Sequence, residues 1–162
     1  GVFVKTFSFE PLLNNLPYGL MGDVQDVSDL LELRQILELA KINSAIASML
    51  PEQLSGLEEV LERMRLQAKD HKSFPKEDRM FHHLLFKSLG NHMLLKLLDV
   101  FWLAVSKASQ HINLTDPNPL RTYQDHVSIF TAVKAGDALK ARKALDQHYD
   151  GIRKRLEKIE RG

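Results

Sequence analysis

The sequence predicts an all-α fold, an antiparallel bundle of six to seven helices. Three observations support this prediction. From residue 26 onward, apolar residues recur every three or four positions. Prolines and glycines interrupt that period at short intervals, and no convincing β-strand occurs between them. The length of 162 residues and the hydrophobic content of 44% suit a single domain with one core.

The first half of the helical region contains three predicted helices. Asp26, Ser28 or Asp29 can cap the first, which ends before Pro51. Its predicted inward stripe is Leu30, Leu33, Leu37, Ala40 and Ala47. The second helix covers 51–69, with the stripe Leu54, Leu57, Leu61 and Met64. Pro75 opens the third helix, which ends at Gly90.

The second half contains three more predicted helices. The fourth begins at Asn91 and points Leu94, Leu97, Leu98, Phe101 and Val105 inward. The segment 113–119 contains two prolines and is the clearest loop. The fifth helix covers 120–134 and the sixth 137–159, with Gly136 between them. The helical domain is therefore expected to occupy residues 21–162.

Residues 1–20 differ from the rest. Val2, Phe3 and Val4 are β-prone, and Pro11 and Pro17 interrupt the segment after them. This run is expected to be the end of a strand and a linker that belong to an upstream domain.

Composition excludes several functional classes. The 22 basic and 21 acidic residues form no dense basic block, so this chain is not expected to grip nucleic acid by itself. There are no cysteines, which excludes disulfides and thiolate metal sites. No apolar run has the length of a membrane span, so no membrane partner is expected. A cytoplasmic location agrees with these features.

The candidate site begins with Asp78 and His82. Four residues apart, they share one face of the third helix with Leu85 and Leu89, so both point toward the core. His126 and His148 lie on apolar faces of the fifth and sixth helices. Such buried groups need a hydrogen-bonded partner or a metal ion. Each inward histidine alone could be an ordinary core histidine, whereas the other four, His71, His83, His92 and His111, face water or loops.

Arg34 is a candidate for ligand binding. It lies among Leu30, Leu31 and Leu37, which puts its guanidinium at the edge of the core. A planar fork of donors suits a carboxylate. The alternative is an ion pair with Glu38, one helical turn away.

Several segments together resemble one family, the FCD domain, which is the effector-binding C-terminal domain of FadR-subfamily GntR transcriptional regulators. They are DLLELRQILELAKINSAIA, DRMFHHLLFKSLGN and DHVSIFTAVKAGDALKARKALDQH. His126 and His148 are 148 − 126 = 22 residues apart, which is similar to the family's spacing. The resemblance covers residues 26–155, and GVFVKT resembles the last strand of the preceding winged helix-turn-helix.

The resemblance implies a sensor and not an enzyme. Asp78, His82, His126 and His148 match the ligands of the family's metal-binding branch, for which zinc, nickel, iron and manganese are all suitable ions. It further implies a small carboxylate effector, a homodimer, and contact with DNA only through an N-terminal domain absent from this chain. Asn91 matches a family position that either lines the pocket or caps the fourth helix.

Two other classes stay open at this point. A metalloenzyme could use three histidines and an aspartate to activate water, although no Glu-x-x-His pair or obvious inward base accompanies them. A structural or dimerisation bundle would use the metal only to hold helices together, with a closed shell of ligands.

Overall fold

The computed structural model describes residues 24–109 and 111–160, together with residues 11 and 15. In this part of the chain there are six α-helices and no strand, which confirms the predicted all-α class. The helices are α1 (Val24–Ala47), α2 (Pro51–Lys69), α3 (Pro75–Lys87), α4 (His92–Ala108), α5 (Pro119–Lys134) and α6 (Ala138–Glu160). The expectations for residues 1–10 and 16–20 lie outside the described residues.

The helices begin and end where local chemistry requires it. Pro51, Pro75 and Pro119 each occupy the first helical turn, where a missing backbone N–H has no cost. The Asn91 side chain accepts a hydrogen bond of 3.0 Å from the backbone N–H of Leu94 and so caps α4. Gly90, in the turn after α3, has a positive φ of 62° that disfavours other residues.

The helices pack around one core. α6 packs against α5 and α1, α2 packs against α3 and α5, and α1 also contacts α3 and α4. Large fully buried side chains come from five of the helices, including Ile42, Leu57, Phe81, Ile129 and Leu145. None of the described helices is long and apolar enough to cross a membrane.

The inward face of α1 differs from the prediction. Leu33 is 53% exposed, and Ala40 and Ala47 are also exposed. Arg34 and Glu38 are buried instead, because each has a charged partner inside the bundle. The proposed caps Asp26, Ser28 and Asp29 lie within α1, which already includes Val24.

Candidate functional site

The structure brings together four predicted side chains from three helices. Asp78 and His82 are one turn apart on α3, His126 comes from α5, and His148 comes from α6. One donor atom from each lies within 4.8 Å of all the others. The His82 Nε2 and His148 Nε2 atoms are 3.3 Å apart, and the ring centroids of His126 and His148 are 4.3 Å apart.

The cluster is buried but not sealed. The side chains of His82 and His126 are at most 1% exposed, whereas Asp78 is 15% and His148 is 11% exposed. Within the described residues, the cluster is accessible to solvent through Asp78 and His148.

The hydrogen bond of His126 determines which ring nitrogen carries its proton. His126 Nδ1 lies 2.7 Å from the carbonyl oxygen of Thr122, which can only accept, so Nδ1 donates. In the neutral ring Nε2 therefore has a lone pair, and it lies 2.5 Å from Asp78 Oδ1. A carboxylate oxygen is also an acceptor, and neither atom has a hydrogen-bond partner among the described residues. Two facing acceptors can lie this close only with a proton or a metal cation between them.

Glu38 orients His82 in the same way. Its Oε2 lies 2.7 Å from His82 Nδ1, and its Oε1 accepts a hydrogen bond of 2.9 Å from Arg34 Nε. Burial alone would raise the pKa of Glu38, but His82 and Arg34 lower it to about 2. The carboxylate is therefore ionised, and His82 directs the lone pair of Nε2 into the cluster.

The sequence indicated Glu38 only as a partner of Arg34. The available signal was two charged residues one turn apart on a face with Leu31 and Ile42, where an unpaired charge would be costly. Their contact with His82 could not be seen in that pattern.

Charges within the cluster also shift the pKa of Asp78. Burial by itself would raise the pKa of this carboxyl, but His126, followed by His82 and His148, holds it well below its usual range. Burial lowers the pKa of His82 and lowers that of His148 further, with the charge of His126 adding to the latter. These two shifts favour the neutral imidazole of His82 and His148, the form that binds metal.

These shifts predict that the chelated protein loses stability in mild acid. His82 and His148 have folded pKa values below the ordinary 6.5, so the unfolded chain takes up protons first as pH falls. Stability is fully present above about pH 6.5 and declines below it. Urea denaturation with a chelator, from about pH 8 to about pH 5, measures the slope. We expect His148→Ala to show a shallower slope; an equal slope would contradict this account.

A cavity of about 550 Å³ adjoins the cluster. Its lining includes Asp78 and His148, and next to them Arg34, Trp102 and Tyr149. The Arg34 guanidinium carbon lies 4.7 Å from the centre of the Trp102 ring, and Arg34 Nη2 is buried without a hydrogen-bond partner among the residues that the structure describes. Arg34 thus pairs with Glu38 and also borders the cavity. The exposed Asn91 does not line this cavity, so the structure does not bring it to the site.

The donor set fits a divalent transition metal. Three imidazoles and one carboxylate are suitable ligands, and Asp78 Oδ1 and His126 Nε2 are buried with no other partner among the described residues. The four ligand atoms all lie within 4.8 Å of one another, so they would have to move closer together to hold one ion at ordinary bond lengths of about 2.0–2.2 Å.

Comparison with known proteins identifies the family of this chain. The family profile described as "FCD domain" matches residues 29–151, which is most of the chain. The chain belongs to the FCD domain family. The predicted family resemblance is thereby confirmed.

Relatives of this FCD domain have the names of transcriptional regulators. The HTH-type transcriptional regulator LutR of Bacillus subtilis is 26% identical, over 94% of this chain and 72% of LutR. The HTH-type transcriptional repressor NanR of Cronobacter sakazakii is 29% identical, over 75% of this chain and 47% of NanR. The putative transcriptional regulatory protein NedR of Micromonospora viridifaciens is 36% identical, over 47% of this chain and 55% of NedR. The chain therefore spans about half the length of NanR and NedR.

A solved structure, E. coli McbR/YncC, superposes with a TM-score of 0.74. It is 16% identical and the match covers 92% of this chain and 78% of that one, so it supports the fold alone. The relatives are regulators, which agrees with the prediction that the domain is not an enzyme.

Proposed function

We propose that this chain senses a small carboxylate metabolite through a bound divalent metal and thereby controls DNA binding by an N-terminal winged-helix domain. The observation that carries the proposal is the facing pair of acceptors, His126 Nε2 and Asp78 Oδ1, beside an open cavity. Residues 1–20 would connect the two domains, residues 21–162 would form the sensing domain, and the full regulator would be a cytoplasmic homodimer.

The cavity supports a carboxylate as the effector. Asp78, His82, His126 and His148 would hold the ion, which supplies positive charge for a ligand carboxylate. Arg34 has a buried Nη2 that no described residue contacts by a hydrogen bond, and it is held over Trp102, so its position does not depend on the ligand. The lining combines apolar and aromatic surface with a few donors, as in other small-molecule sites.

The same cavity suggests how binding would be transmitted. Its lining comes from helices far apart in the chain, with Arg34 on α1, Trp102 on α4 and His148 on α6. A ligand that contacts all three favours the arrangement in which they are closest. DNA affinity changes only if the ligand binds the two arrangements unequally.

Metal content tests the first part of this proposal. Elemental analysis of the wild type is expected to find about one metal ion per chain. The double variant His126→Ala with His148→Ala is expected to bind none. The matched control is His92→Ala with His111→Ala, which removes two exposed histidines and should retain the metal. A metal-free wild type after reloading at neutral pH would contradict the proposal.

Thermal shift with small carboxylic acids tests the second part. An acid that binds the metal-loaded domain raises its melting temperature, because it stabilises only the folded state. Arg34→Gln is expected to lose most of that rise. An equal rise in the variant would remove Arg34 from the ligand site.

A further inference from the structure

One face of α6 forms a side of the cavity. His148, Gly151, Ile152 and Arg155 all line it, at positions separated by three, four and seven residues. Such spacing places them on one face, because seven residues make about two helical turns. His148 and Arg155 are therefore about 10 Å apart along the helix axis. The metal cluster and Arg155 lie toward different ends of this face.

Arg155 has hydrogen-bonding capacity that the protein does not use. Its Nε is buried and has no partner among the described residues. Its Nη1 makes one long contact of 3.3 Å with Asp116 Oδ1. That carboxylate is shared, since it also accepts hydrogen bonds from the Asn118 backbone N–H at 3.0 Å and the Thr122 hydroxyl at 2.5 Å. A guanidinium has five N–H donors, so most of the Arg155 fork is not satisfied by Asp116.

Gly151 leaves the space beside Arg155 open. Glycine is among the least favourable residues in the interior of a helix, and Gly151 lies well inside α6. Among the described residues, an added Cβ would meet only Arg155 Nη1, at 3.8 Å, so packing does not exclude alanine at this position. Because Gly151 has no side chain, the cavity stays open next to the guanidinium.

We propose that Arg155 is a second anion subsite and that the effector is a dicarboxylate. This inference rests on the proposed function. One carboxylate lies at the His148 end, near Arg34, and the other lies against Arg155 on the same face of α6. The planar fork of Arg155 binds the second carboxylate through two parallel N–H donors. A ligand with a single acidic group, bound at the metal end, could not reach these donors.

Matched acids provide the test. Succinate, glutarate and adipate are compared with butyrate, pentanoate and hexanoate by calorimetry and thermal shift on the metal-loaded domain at constant ionic strength. At least one diacid is expected to bind about tenfold more tightly than the monoacid of equal chain length. Arg155→Gln is expected to abolish this preference, leaving monoacid binding and metal content unchanged. Arg155→Lys is expected to restore part of it, because it returns the charge without the fork.

Two further variants separate local effects from loss of folding. Arg153→Gln is the matched control, since this arginine pairs with Asp150, does not line the cavity, and should keep the preference. Gly151→Leu fills the space next to Arg155 and should weaken diacid binding without lowering the melting temperature of the ligand-free domain. An unchanged preference in Arg155→Gln, or monoacids that bind the wild type as tightly as diacids, would overturn the second subsite alone. If no acid binds the metal-loaded domain, the proposed function fails with it.

Discussion

Replacing Glu38 with alanine is expected to destabilise the domain by about 3–5 kcal/mol, because it removes one carboxylate from between two buried partners. Arg34 would remain charged and buried, because a guanidinium is not deprotonated in proteins, and it would lose one of the interactions that raise its pKa against the effect of burial. His82 Nδ1 would lose its acceptor as well. The loss would appear as a lower midpoint in urea denaturation with an unchanged slope.

Metal affinity should fall in the same variant. His82 would be free to rotate or to change tautomer, and removal of such an orienting partner typically costs roughly 10–100-fold in affinity. Glu38→Gln keeps the shape and an acceptor but not the charge, so its loss should be smaller. Glu32→Ala is the control, an exposed glutamate on the same helix, expected to change stability by less than about 0.5 kcal/mol. Equal changes in stability and metal affinity in Glu38→Ala and Glu32→Ala would show that Glu38 does not orient His82.

Which of the two proteins is more stable, the wild type or Asp78→Asn, is expected to depend on whether metal is present. In chelator, the wild type has Asp78 Oδ1 facing a lone pair of His126, whereas the amide of asparagine can donate a hydrogen bond to it. The variant should then be at least as stable as the wild type. With metal at about 100 to 1,000 times its dissociation constant, the wild type should gain about 2.7–4.1 kcal/mol.

That gain corresponds to a rise of about 5–15 °C in melting temperature for a domain of this size. The asparagine variant should show little rise, because a neutral amide is a poor ligand for a transition metal. The test compares four melting temperatures, those of both proteins with chelator and with zinc or manganese. If the wild type is more stable than the variant even in chelator, a proton between Asp78 and His126 already satisfies the pair, and these two atoms no longer require a metal.

Local regularities made much of this domain predictable. The bounds of α2 and the buried faces of α4, α5 and α6 follow from helical spacing, because apolar residues three and four positions apart must share a face. The inward direction of His82, His126 and His148 follows for the same reason. On α1 the prediction was only partly right, because Leu30 is buried and Leu37 half-buried, whereas the other three predicted inward residues are exposed.

The prediction for α1 fell short because charged residues are buried in the core as pairs. Arg34 and Glu38 are buried because each compensates the other and because Glu38 meets His82, which lies 44 residues away in the chain. A contact at that separation depends on how α1 packs against α3, and helical spacing contains no information about it. Asn91 is the opposite case. Its local role as a helix cap could be predicted from the sequence, whereas the structure does not place it in the cavity.

The sequence by itself therefore determined the helical class, the family and the four residues that meet at the cluster, since each depends on spacing within one helix or on a pattern shared with relatives. Only the tertiary structure decided which groups support them. The carboxylate behind His82, the approach of Asp78 to His126 and the cavity between α1, α4 and α6 all depend on distances between helices. Those distances are set by the packing of the whole core, which is a property of many side chains together and of no single segment.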